Sequence, residues 1–205
     1  MKPVALFYAT REGQTRRVAE HVAARLRGRG ARVELAEVSS VRPDVAVGRF
    51  SAVVLAASVH LGKHEHEMID FIKAHRAALE GVHTAFLSVS MSEASAELVA
   101  ATPEQRSAGA AKVRAVLEAF EKETGFRPGV TKAVAGALRY SQYGFIVRLV
   151  MRSIARQTGT STDTTHDVEY TDWDSLDAFA DHLLDDLDAE ADGRLGIGSA
   201  LPSEA

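Results

Sequence analysis

The segment Ser51-Ala-Val-Val-Leu-Ala-Ala57 presents one hydroxyl and otherwise only apolar side chains. A strand of this composition must be covered on both faces, which is the situation of a parallel sheet with helices above and below it. Similar runs recur at 3–9, 84–89 and 130–137, and a half-buried strand alternates over 32–38. Helical stretches lie between them. Val18, Val22 and Leu26 repeat at fourfold spacing within 14–29, and Met68, Ile69, Phe71, Ile72 and Leu79 mark the inward face of 65–79. Thr102-Pro103 places a capping hydroxyl before a proline at the first helical position and opens a helix to about Thr124. A short strand near 168–170 and a last helix over 173–188, capped by Asp172 with Ser175 at its third position, complete the series. Trp173 is expected to pack that helix onto the sheet. The pattern predicts one doubly wound α/β domain over 1–188 with right-handed crossovers, followed by a small, polar, disordered tail at 189–205.

In such sheets ligands bind beyond the carboxyl ends of the strands. The first of these ends is the most telling. Thr10-Arg-Glu-Gly-Gln-Thr15 joins an apolar strand directly to a helix, and the unpaired N–H groups and dipole of a helix N-terminus form an anion site. Two threonines with Gly13 between them can wrap one phosphate. The turn lacks both the Gly-Lys-Ser/Thr of a Walker loop and Gly-x-Gly-x-x-Gly, so the phosphate of flavin mononucleotide (FMN) is a better candidate than ATP or a dinucleotide. Thr10, Gly13, Gln14 and Thr15 are expected to hold it, with Glu12 beside them and Arg11 flanking and solvated. Ser58, Val59, His60, Leu61 and Gly62 would then lie along one side of the flavin ring. Ser88, Val89, Ser90 and Met91 would lie along the other, and Gly136, Ala137 and Leu138 would close the remaining edge. His60 is the one candidate for a proton-transfer group.

The chain has no cysteine, which excludes disulfides, thiolate catalysis and iron–sulfur ligation and leaves redox chemistry to a bound organic cofactor. Met1 leads straight into the first strand and no apolar run approaches the ~20 residues of a membrane span, so a cytoplasmic protein is expected. Charge is unevenly placed: residues 163–192 hold twelve acids and no Lys or Arg, whereas residues 1–162 hold 23 basic against 15 acidic side chains. The acidic stretch reads as a solvated helix face. Within the basic part, Arg148, Arg152 and Arg156 stand on one helical stripe, with Phe145, Leu149, Val150 and Met151 around it and Arg139, Tyr140 and Tyr143 at the entry. Two readings stay open for this stretch. It is either a core-facing helix with an Arg-lined outer face, or an amphipathic element that rests on an anionic membrane at about 1 kcal/mol per Arg or walls a substrate site.

Taken together, the Thr-Arg-Glu-Gly-Gln-Thr loop, Ala57-Ser-Val-His-Leu-Gly-Lys-His64, Ala135-Gly-Ala-Leu-Arg-Tyr140 and the Val168-Glu-Tyr-Thr-Asp-Trp173 corner make the chain similar to one family. It resembles the menaquinone-dependent protoporphyrinogen IX dehydrogenases of the flavodoxin-like superfamily, from Met1 to about Leu187. The resemblance implies a flavodoxin-like five-stranded parallel sheet of order 2-1-3-4-5 and noncovalent FMN. It further implies six-electron oxidation of protoporphyrinogen IX in haem biosynthesis, with delivery to a membrane quinone. Porphyrinogen and quinone would be the small-molecule partners, with Arg139, Tyr140, Tyr143, Arg148 and Arg152 at the substrate or the inner membrane face. No nucleic acid is expected, and a homo-oligomer stays open. A flavodoxin-type electron carrier and an NAD(P)H:quinone reductase are the alternatives. Carriers are usually strongly acidic so as to dock on basic partners, unlike residues 1–162 here.

Several residues have plainer readings. His60, His64, Glu65, His66 and Glu67 cluster, but no further ligand follows at fixed spacing, so no metal is expected. The cluster reads first as a plain exposed helix start, with binding at the flavin edge or the substrate mouth as the alternative, and Glu65 and Glu67 in the first turn suit the dipole. His83 begins a strand and reads as structural. Neither Ser58 nor Ser88 lies in a nucleophile elbow.

Overall fold

The computed structural model describes residues 2–91, 93, 102–138 and 168–193. Arg139, Tyr140, Tyr143, Arg148, Arg152 and the tail from 194 on lie outside the described residues. Strands β1 (Val4–Ala9), β2 (Val33–Glu37), β3 (Ala52–His60), β4 (Lys63–His64), β5 (His83–Ser90) and β6 (Val130–Ala135) form one sheet. Helices α1 (Gln14–Gly28), α2 (His66–Leu79), α3 (Pro103–Thr124) and α4 (Trp173–Ala191) cover it. The long strands are parallel in the order β2-β1-β3-β5-β6, which is the expected 2-1-3-4-5. The short β4 is an addition that pairs antiparallel with the end of β3. A separate ribbon joins β7 (Ala137–Leu138) to β8 (Val168–Glu169).

The all-apolar strands do what their composition requires. All six residues of β1 are buried, and their alternation splits the core in two. Leu6 and Tyr8 join Val18, Val22 and Leu26 of α1 and Leu176 and Leu184 of α4. Phe7 faces the opposite way, edge-on to Phe50 and Phe71, in the layer that holds Met68, Ile72 and Phe120.

Helix α4 begins as expected, with Ser175 N–H donating to Asp172 Oδ1 at 2.9 Å, and continues to Ala191. Its acids are not simply solvated. His21, Arg25 and Arg29 recur every fourth residue on α1 and meet Asp177, Asp181 and Asp185, spaced the same way on α4, at 2.9, 2.6 and 2.9 Å. The hydrogen bond from Arg25 holds the Asp181 carboxyl below its ordinary value. Two matching fourfold stripes therefore orient the helix pair. Trp173 packs against the core cluster formed by the sheet and α1, its ring centre 4.7 Å from that of His21. His83 opens β5 and pairs with Glu190, as a structural role requires.

Candidate functional site

The loops at the carboxyl ends of β1, β3, β5 and β6 meet around a cleft of about 410 Å³, counting its open mouth. In the turn after β1, Gly13 caps α1 with φ 83°, and its N–H donates to Thr10 Oγ1 at 3.0 Å. A Cβ at Gly13 would meet nothing within 4 Å, so glycine is required there by the backbone angle and not by space. The first turn of α1 contains no acidic residue, which leaves its partial positive charge for an external anion. The Thr10 hydroxyl accepts from Gly13 and still has its own proton to donate.

Thr15 is wholly buried, lines the cleft, and its Oγ1 has no hydrogen-bond partner among the described residues. Leaving a buried hydroxyl unpaired costs about 1–3 kcal/mol. An anion seated on the turn would satisfy it. Arg11, Glu12 and Gln14 also line the cleft, and farther along come Ser58, Val59 and His60 from β3, Val89, Ser90 and Met91 from β5, and Gly136 and Ala137 after β6. The Gly136 N–H donates to Ser90 O at 3.0 Å, tying two of those walls together.

Four details differ from the expectations. Ser88 does not line the cleft. The pleat turns it to the Phe86 side of β5, where its Oγ bonds His64 Nε2 at 2.9 Å. His64 is likewise withdrawn from the flavin edge and the substrate mouth. It is buried against the rings of Phe86 and Phe120, and that burial lowers its pKa from 6.5 to about 4. Leu61 and Gly62 form the tip of the β3–β4 hairpin and line an adjoining cleft. Leu138 lies in β7, paired with Val168.

The hairpin also accounts for a residue that no motif marks. Leu61 (φ 50°) and Gly62 (φ 77°) both adopt left-handed backbone, the conformation of a two-residue hairpin turn. The chain folds back so that Glu65 N–H donates to Ser58 O at 3.2 Å. Glu65 is thereby buried at the cleft wall, where it accepts from Ser58 Oγ at 3.1 Å and from Arg11 Nη2 at 3.0 Å. Arg11 is flanking and largely exposed, as expected, but it also bridges the Thr10–Thr15 turn to the start of α2. Glu65, His66 and Glu67 bring ligand atoms within 4.8 Å of one another, but the Glu65 carboxylate is already committed to these two donors. Arg11→Ala is expected to cost about 1–2 kcal/mol, less than a fully buried pair because the Arg11 side chain is 52% exposed against 5% for Glu65. Urea unfolding of the variant beside the parent checks this, and an unchanged midpoint would refute the bridge.

Gln14 acts through its side chain as well. Its Nε2 donates to Glu169 Oε1 and to Thr171 Oγ1, both at 2.8 Å, and Thr171 Oγ1 donates to Ala135 O at 2.8 Å. Arg17 reaches Glu169 Oε2 at 3.0 Å. The start of α1 is thus clasped to the β7–β8 ribbon and to the end of β6.

Among known families, the flavodoxin-domain model matches residues 5–165. The chain belongs to the flavodoxin-domain family. Membership implies a flavin, and the orphaned Thr15 hydroxyl beside an acid-free helix start fits the phosphate end of one. The flavodoxin-domain chain is 32% identical over 188 residues to the Escherichia coli protein named protoporphyrinogen IX dehydrogenase [quinone], covering 90% of this chain and 97% of that one. A Leishmania major protein of the same name is 26% identical over 184 residues, 85% of this chain and 71% of the other. Among solved structures, a short-chain flavodoxin associated with a bacterial microcompartment superposes with a TM-score of 0.53 at 18% identity, covering 91% of this chain and 99% of that one. That likeness concerns the fold alone.

Proposed function

We propose that this protein is an FMN-dependent oxidoreductase that oxidises protoporphyrinogen IX to protoporphyrin IX and passes the electrons to a quinone. The observation that carries the cofactor is the buried, unpartnered Thr15 hydroxyl at the positive end of α1. The substrate is supported by full-length similarity to quinone-linked protoporphyrinogen dehydrogenases. When bound, the flavin supplies reversible two-electron acceptance, so three turnovers remove six electrons and six protons from each ring and reduce three quinones.

The chain's own residues bind and orient. Thr10 and Thr15 donate hydroxyl protons to the phosphate, and the first-turn N–H groups add the helix field. Ser58, Val59 and His60 form one wall for the ring, with Glu65 fixing the Ser58 hydroxyl from behind; Val89, Ser90 and Met91 form the other, and Gly136 and Ala137 close the end. His60, at the end of β3 on the cleft wall, is the candidate to take a proton from substrate, since His64 is buried against Phe86 and Phe120. No helix among the described residues is long and apolar enough to cross a membrane. Arg139, Arg148 and Arg152 would contribute to a peripheral contact with the membrane that holds the quinone.

The test is anaerobic mixing of the purified yellow protein with protoporphyrinogen IX or with NADPH. Bleaching by the porphyrinogen, followed by recovery of colour on adding a quinone, is the expected result. Bleaching by NADPH alone would make the protein a quinone reductase, and bleaching by neither would favour an electron carrier. A preparation that takes up no FMN would end the proposal.

A further inference from the structure

A second cleft opens beside the first and shares Val59, Ser90 and Met91 with it. Its outer wall is one face of α3, where Lys112, Ala115 and Val116 stand three and four residues apart. Its inner wall is the hairpin tip. Leu61 there is 93% exposed, the one large apolar side chain so exposed among the described residues. It also holds φ 50°, a left-handed backbone that disfavours any residue with a β-carbon. A leucine held at positive φ is strained, and such strain concentrates at functional sites.

The facing side chain is equally unresolved by the fold. Among the described residues Lys112 is exposed with no hydrogen bond or ion pair, and no acid lines this cleft. Apolar walls and one uncompensated ammonium therefore adjoin the place where the flavin ring is held. A ligand that suits them has a broad apolar face and a carboxylate at its edge. An uncharged quinone could accept a hydrogen bond from Lys112 but would lack the charge pairing that a carboxylate brings.

We propose that this second cleft seats the porphyrinogen, its ring against Leu61 and Val116 and one propionate carboxylate on the Lys112 ammonium. The proposal rests on the function argued above and names the specificity-determining residue for it. The shared wall of Val59 and Met91 puts the macrocycle next to the flavin cleft, as electron transfer demands.

The test uses the flavin-loaded protein under anaerobic steady-state conditions with a soluble quinone. Protoporphyrinogen IX is compared with its dimethyl ester, in which both propionates are capped, for the parent, Lys112→Ala and Lys112→Arg. Lys112→Ala is expected to raise KM for the diacid about tenfold with kcat little changed, the usual order for losing a charge-assisted contact. It should leave KM for the ester where the parent has it, and Lys112→Arg should keep the low KM for the diacid. An unchanged KM, or equal changes for diacid and ester, would overturn the subsite. So would loss of bound flavin in Lys112→Ala, which would assign the lysine to the cofactor. A parent protein that fails to oxidise the diacid at all would instead overturn the function, and the subsite with it.

Discussion

Thr15→Val is expected to weaken FMN binding by about ten- to a hundredfold while making the flavin-free protein more stable by about 1 kcal/mol. The two effects have opposite signs for one reason. In the flavin-free protein the Thr15 hydroxyl is wholly buried and unpaired, so an isosteric methyl removes a desolvated group that gains nothing. With phosphate present the same hydroxyl donates a charge-assisted hydrogen bond, which contributes roughly 1.5–3 kcal/mol, and about 1.4 kcal/mol is a factor of ten in affinity. Fluorescence titration with FMN and thermal melts of the flavin-free protein read the two quantities separately. Equal affinity in variant and parent would show that Thr15 does not face the phosphate. A variant destabilised without flavin would show that the hydroxyl has a partner in the protein.

The second large effect is on acid stability. Burial lowers the His64 pKa from 6.5 to about 4, so between these values the unfolded chain binds a proton that the folded chain refuses. Stability therefore falls as pH drops from 6.5 towards 4 and, for this group, stops falling below 4. The shift corresponds to about 3 kcal/mol. Among the described residues the ring and hydrogen-bond contacts of His64 are Phe86, Phe120 and the Ser88 hydroxyl, and burial is the cause of the shift. His64→Phe combined with Ser88→Ala removes the titrating ring without stranding the serine. Urea unfolding at pH 4.5 and 6.5, at one flavin loading, should show a markedly smaller stability difference in the double variant than in the parent. Equal differences would mean that His64 protonates without penalty in the folded protein.

The sheet is legible in the sequence because its central strands β1, β3 and β5 are buried on both faces, and such strands cannot disguise their composition. Helices were legible for a similar reason: the stripe Val18, Val22, Leu26 and the cap at Asp172 are local signals acting over three or four residues. What stayed hidden is nonlocal. Gln14 finds Glu169 and Thr171 more than 150 residues away, and no spacing rule connects them. The β3–β4 hairpin was missed because Leu61 occupies a left-handed position that usually announces itself as Asn, Asp or Gly. That one omission carried others with it, since only the hairpin brings Glu65 against Ser58 and withdraws His64 into the core. The acidic helix was read by its net charge, whereas its fourfold periodicity matched that of His21, Arg25 and Arg29 all along. The Thr10–Thr15 turn, by contrast, is contiguous, so its place between β1 and α1 follows from order alone.

Leu138 and Val168 are antiparallel neighbours, so the polypeptide leaves the rim of loops around the cleft and returns to it at adjoining points. Gln14 and Thr171 rivet that exit and re-entry to the turn after β1. A change of length confined to 139–167 is therefore expected to leave that turn in place, so that the two parts of the protein can vary separately.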